Sequence, residues 1–124
     1  PVAAAREEVL KQIAAYDTSS AVNGFVLNGQ SVWLEKATRV GLMNSTTIAK
    51  AMGQDTTTLW LGDNRLVVDC DKAIQLLSAL EMYALECFNV TAAHKKAVGE
   101  LTDIGEALSY DYTKGYPAKL TMTV

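Results

Sequence analysis

Large apolar residues gather most densely between residues 69 and 108, a stretch with no proline. Ile74, Leu77, Ala84 and Phe88 fall on one helical face there, and Ala73, Leu76, Leu80, Tyr83 and Cys87 on an adjoining one. The polar stripe left over, chiefly Gln75, Ser78 and Glu86, is narrow, so residues 72–88 are expected to form the most buried helix. Asp69 or Asp71 can cap its start by accepting from the first-turn N–H groups. Beyond Phe88 the pattern thins to a single stripe of Val90, Ala93, Ala97, Leu101, Ile104 and Leu108, opposed by Lys95, Lys96, Glu100, Asp103 and Glu106. Forty continuous helical residues would span roughly 60 Å, against a diameter near 35 Å, roughly, for a compact chain of this length. The expected form is a continuous or gently bent helix whose second half projects from a globular head. Asn89-Val90-Thr91, Gly99 and Gly105 are its weak points.

The rest of the chain supplies partners for that helix. Residues 2–16 carry a stripe of Val2, Ala5, Val9, Ile13 and Tyr16, with Arg6, Glu7, Glu8, Lys11 and Gln12 opposite. This segment is predicted to lie antiparallel along the far half of the long helix as a two-helix stalk, with homo-oligomers through the helices as one outcome. Asn28-Gly29-Gln30 between two apolar triplets signals a hairpin. A three-residue loop would place Phe25 opposite Trp33, and this register gathers the large rings. Residues 35–53 read as a second helix with Ala37, Val40, Gly41, Ile48, Ala51 and Met52 facing the core, a kink or break at residues 44–47, Gly53 at its end and a Glu35–Arg39 pair on its exposed side. A second hairpin turns at Asp63-Asn64, pairing Leu61 with Leu66 and Trp60 with Val67. Both tryptophans are expected in the core. Residues 110–117 are turn-rich, and residues 118–124 alternate like a short final strand. The fold class is therefore α+β: two β-hairpins packed on helices, with an N-terminal helix along a long C-terminal one. One domain is expected over residues 1–124: stalk helix 1–16, hairpin and helix head 22–88, second half of the long helix 89–109 and tail 110–124. The start at Pro1 fits either a removed Met or excision from a longer chain.

Charge narrows the partners. A net charge of −3 with one basic pair, Lys95-Lys96, speaks against nucleic acid. No run of about 18 apolar residues offers a membrane span, and no signal peptide opens the chain. Cys70 and Cys87 would lie about 25 Å apart on one helix, beyond the roughly 7 Å that a disulfide allows. Reduced thiols and a cytoplasmic or virion-associated location follow as expectations.

The search for chemistry finds no catalytic, metal or cofactor set. His94, the only histidine, lies seven residues from Cys87, about 10 Å along a helix, too far for a nucleophile–base pair. No glycine-rich phosphate loop is present, and Asp63, Asp69 and Asp71 lack calcium-loop spacing. The sequons at Asn44 and Asn89 fall inside predicted helices. Tyr110, Tyr112 and Tyr116 stand in a polar segment, where rigid rings suit a partner surface; packing back onto the stalk is their other expected role.

Residues 22–53, 56–69, 79–94 and 109–117 together resemble a domain-of-unknown-function family that recurs in phage tail and prophage proteins. The shared features are an Asn-Gly hairpin, a Trp-containing arm running into an Arg-bearing helix, an aromatic before a Gly-Asp-Asn turn, and a long Ala/Leu-rich helix. The resemblance brings no catalytic residues. It implies a bacterial or phage setting, and a non-enzymatic structural or interaction module of tail-fibre or tail-accessory type, whose partners are other tail or phage structural proteins. The alternative is a small ligand-binding or enzymatic domain whose site the sequence hides.

Overall fold

The computed structural model describes residues 1–124. The chain runs α1 (Val2–Asp17), β1 (Phe25–Leu27), β2 (Gln30–Val32), α2 (Lys36–Ala51), β3 (Thr56–Leu61), β4 (Asn64–Asp69), α3 (Cys70–Gly99), α4 (Ile104–Leu108) and β5 (Leu120–Met122). It is an α+β fold with hairpins. Two compact units divide it: residues 1–23 with 85–118, and residues 24–84 with 119–124.

The second of these units holds both sheets. β1 pairs antiparallel with β2 and parallel with β5, giving the order β2-β1-β5, while β3 and β4 form a separate two-stranded sheet. Phe25, Leu27, Leu59, Leu61, Leu77 and Leu80 anchor its core. Tyr83 of α3 is also buried, and its hydroxyl donates to the Gly24 carbonyl at 2.9 Å. α3 starts as the sequence suggests: Asp69 Oδ1 accepts from the Asp71 N–H at 2.7 Å.

Both hairpin registers differ from expectation. Leu27 pairs with Gln30 and Phe25 with Val32, so the first loop has two residues, not three. Asn28 at φ 50 and Gly29 at φ 82 supply the left-handed pair that a tight turn needs. That backbone preference outweighs the ring alignment, and Trp33 falls beyond the ladder. In the second hairpin Leu61 pairs with Asn64 and Trp60 with Arg65, around Gly62-Asp63. Leu59 and Leu61 then point inward, and alternation turns Trp60 out, where it is 57% exposed instead of buried in the core.

α2 is continuous through residues 44–47, where a kink was expected; Thr47 Oγ1 donates back to the Met43 carbonyl at 2.9 Å. Its buried face is also the opposite of the expected one. Arg39 and Thr46 are buried, Leu42 and Met43 pack on the core, and Ala37, Val40, Gly41, Ile48, Ala51 and Met52 are exposed. The cause is electrostatic: Arg39 Nη1 donates to Glu81 Oε1 on α3 at 2.9 Å, and does not meet the Glu35 side chain. A buried guanidinium needs such a partner, and satisfying it rotates the helix. Gly53, at φ 88, follows the C-cap Met52 in the glycine-favouring conformation.

In the other unit α1 lies antiparallel to the later half of α3. Thr91 contacts Asp17, Val98 packs with Val9 and Ile13, and Arg6 Nη1 donates to the Leu101 carbonyl at 2.7 Å. α3 passes Asn89 without a break but stops at Gly99, short of Leu108. Asp103 then caps α4 by accepting from the Glu106 N–H at 2.9 Å. The buried stripe is Cys87, Thr91 and Val98, with His94 half-buried between them, not the line from Val90 to Leu108. Phe88, 63% exposed, falls outside it.

Candidate functional site

The richest polar and aromatic cluster lies where the segment after α4 returns to α1 and α3. All three tyrosines singled out from sequence converge on it, and none stands free. Tyr112 meets Tyr16 edge-on at a centroid distance of 5.6 Å, and Tyr116 meets the same ring at 5.7 Å. Tyr110 and Tyr112 also pack on the small core of Val9, Ile13 and Val98.

Two residues of α3 hold this segment by hydrogen bonds. Thr91 Oγ1 donates to Asp17 Oδ1 at 2.8 Å. Its single proton is then committed, so the Tyr116 hydroxyl, 2.7 Å away, donates to it. Burial pushes the Tyr116 hydroxyl above its ordinary pKa. One turn on, His94 Nε2 lies 2.7 Å from the Lys114 carbonyl, and Nδ1 lies 2.6 Å from the Tyr110 hydroxyl. A carbonyl only accepts, so Nε2 carries a proton; in the neutral ring Nδ1 accepts from Tyr110. Asp111 closes the turn by accepting from the Thr113 hydroxyl and N–H. Those bonds, the hydroxyl's first, hold its carboxyl below the usual range.

Chemically, this arrangement binds one part of the chain to another. Both nitrogens of His94 are engaged within the protein. Cys70 and Cys87 are buried and form no disulfide. No group of three or more His, Cys, Asp or Glu side chains converges to hold a metal ion. The acidic trio from sequence is dispersed: Asp69 caps α3, Asp71 pairs with Lys50, and Asp63 sits in a hairpin turn. The hydrogen bond to Asp71 raises the exposed Lys50 ammonium above its ordinary pKa.

Sequence reasoning missed the anchors of this cluster. Thr91 and His94 sit three apart, so their shared helix face was readable from spacing; their tyrosine partners were not. Tyr16 was read as an apolar stripe residue and serves as the ring on which two others pack.

Two open hollows lie in the unit that holds the sheets. One, of about 490 Å³, runs between α3 and the end of β5, lined by Lys72, Gln75, Leu76, Ala79, Met122, Thr123 and Val124. The other, of about 360 Å³, lies at the start of α3 beside Lys50, Gln54, Asp55 and Asp71. No helix is long and apolar enough to cross a membrane. No curated protein and no solved structure gives a significant match. Residues 4–114 match the family described as Domain of unknown function (DUF4376). That span takes in both hairpins, the long helix and all of the tyrosine cluster but Tyr116, and the chain belongs to this family.

Proposed function

We propose that the chain is a non-enzymatic structural or protein-interaction module, acting within a phage or prophage tail as a fibre or accessory component. The observation that carries the module reading is the distribution of apolar surface. Ile48 on α2 and Met52 at its C-cap, Trp60 and Val67 on β3 and β4, and Phe88 on α3 are all more than half exposed. Meanwhile the one histidine and the tyrosines are spent on internal hydrogen bonds and ring contacts. Large exposed apolar residues favour partner surfaces. The tail setting rests on the resemblance of the hairpin, helix and turn motifs. Its partners would be other tail proteins, and its location cytoplasmic before assembly and virion-associated after. Tyr110, Tyr112 and Tyr116 can still offer ring edges to such a partner, since each is half-buried and not sealed.

The open hollow between α3 and β5 favours a second reading, a small ligand-binding or enzymatic domain. Tagged chain expressed in its host decides between them. Co-sedimentation with purified tail particles after prophage induction is the expected result. Particles devoid of the chain would overturn the tail reading.

A further inference from the structure

Two Asn-Gly pairs stand close together in the chain, Asn23-Gly24 and Asn28-Gly29. Asparagine is among the thermolabile residues, and a following glycine, lacking a side chain, leaves its backbone nitrogen open to close approach. By sequence the two pairs are equivalent; the structure sets them apart. Gly24 is buried, its carbonyl accepts from the Tyr83 hydroxyl, and Asn23 Oδ1 is shut off from solvent. Asn28 and Gly29 are both exposed, and a Cβ added at Gly29 would meet nothing within 4 Å. The Gly29 N–H donates to no other backbone group. Only the end of the chain restrains Asn28. Its Oδ1 accepts from the Val124 N–H at 2.8 Å, and its own N–H donates to the Met122 carbonyl at 2.9 Å.

We propose that Asn28 is a modification site, deamidated by water without an enzyme, and that docking of residues 120–124 guards it. Hydroxide takes the Gly29 amide proton, and the freed nitrogen attacks Asn28 Cγ. The new N–Cγ bond closes a cyclic imide as the bond from Cγ to the side-chain nitrogen breaks. That nitrogen takes a proton from water, leaves as ammonia and returns the hydroxide. Water then opens the imide at either carbonyl, giving aspartate or isoaspartate at position 28. Ring closure needs Cγ over the Gly29 nitrogen, and the bond to Val124 ties the carboxamide elsewhere. β5 is three residues long, with Leu120 and Met122 only half-buried, so it opens ahead of the core. Aspartate keeps the Val124 bond, because a carboxylate also accepts. Isoaspartate adds a carbon to the backbone of a two-residue turn, displacing both the Leu27–Gln30 pair and the strand that receives β5. Chains whose last strand stays undocked are therefore converted first, and irreversibly. The proposal is independent of the tail reading.

Peptide mapping by mass spectrometry, on the full chain held in mildly alkaline buffer, tests it with an internal control. In the folded chain Asn28 should convert about tenfold faster than Asn23, or more, because only local opening is needed to free it. In urea, where both pairs are unfolded, the two rates should converge. Val124→Pro removes one N–H donor at an exposed position. It should speed conversion of Asn28 roughly twofold to tenfold, the worth of one hydrogen bond, and leave Asn23 unchanged. Chains carrying isoaspartate, separated from those carrying aspartate, should exchange the amides of residues 120–122 faster. Equal rates at Asn23 and Asn28 in the folded chain overturn the proposal. So does a Val124→Pro chain that converts Asn28 no faster than the parent, or isoaspartate chains whose β5 exchanges as the parent's does.

Discussion

Thr91 donates its hydroxyl to Asp17 Oδ1 at 2.8 Å, joining residues 74 positions apart. Thr91 is buried, and it also takes the proton of Tyr116. Thr91→Val keeps the shape and removes both bonds. It should destabilise the fold by about 1–3 kcal/mol, because a carboxylate and a hydroxyl lose their partner together. Tyr116→Phe, which removes one bond only, should cost about 1 kcal/mol. Urea unfolding midpoints for the two variants give the comparison. Equal losses would mean that Asp17 draws nothing from the pair.

The raised pKa of Tyr116 sets an alkaline limit. Burial is its leading cause, so the folded state holds that proton more tightly than the unfolded chain. The contribution is fully present below the unfolded value of about 10 and is lost as pH rises through the higher folded value. Lys50, raised by Asp71, acts in the same direction. Stability should fall above about pH 10, and Tyr116→Phe should flatten part of that fall. Thermal melts from pH 8 to 11 read the slopes.

His94 holds Tyr110 and Lys114 at once. His94→Ala should loosen residues 110–116 before anything else. Losing bonds worth about 1–2 kcal/mol corresponds to roughly tenfold faster amide exchange. Protection in α2 should not change. Uniform acceleration across the chain would show that His94 supports the whole fold and not one segment.

Glu81 balances a guanidinium that is almost wholly buried. Glu81→Ala should cost about 1–3 kcal/mol, less than a fully buried pair because Glu81 itself is one-third exposed. Arg39→Met, which removes the charge along with its unpartnered Nε, should cost less than Glu81→Ala. The reverse order in denaturation experiments would contradict this account of why α2 is turned as it is.

Neighbouring residues on β3 offer a sharp contrast. Leu61 is fully buried, and Trp60 is more than half exposed. Leu61→Ala should cost about 2–5 kcal/mol, and Trp60→Thr no more than about 0.5 kcal/mol. A large loss at Trp60 would restore that ring to the core.

Elements set by local chemistry were legible in the sequence. Asp69 caps α3, Asn28-Gly29 makes the first turn, Gly53 ends α2, and α1 returns along α3. What could not be read was decided by distant partners. Nothing near Arg39 announces Glu81, yet that pair chooses which face of α2 is buried. The first hairpin followed backbone turn geometry where ring pairing had been the guide; in the second, strand alternation alone sets Trp60 on the face opposite Leu59 and Leu61, and only packing against distant elements decides which face is the core. In the tyrosine cluster, the rings were recognisable as a group. Their destination depended on Thr91, His94 and Tyr16, which the pattern treats as ordinary helix positions.

The parallel pairing of β1 with β5 has a temporal consequence. Asn28 binds the Val124 N–H across 96 positions, and Phe25 faces Leu120 in the ladder. β1 acquires β2 within a few residues of synthesis and then waits, one edge bare, until Leu120–Met122 has emerged. Closing so long a loop brings little reward before it is complete. The third strand should therefore dock in the slowest refolding phase, and a nascent chain is most prone to wrong strand partners in that interval.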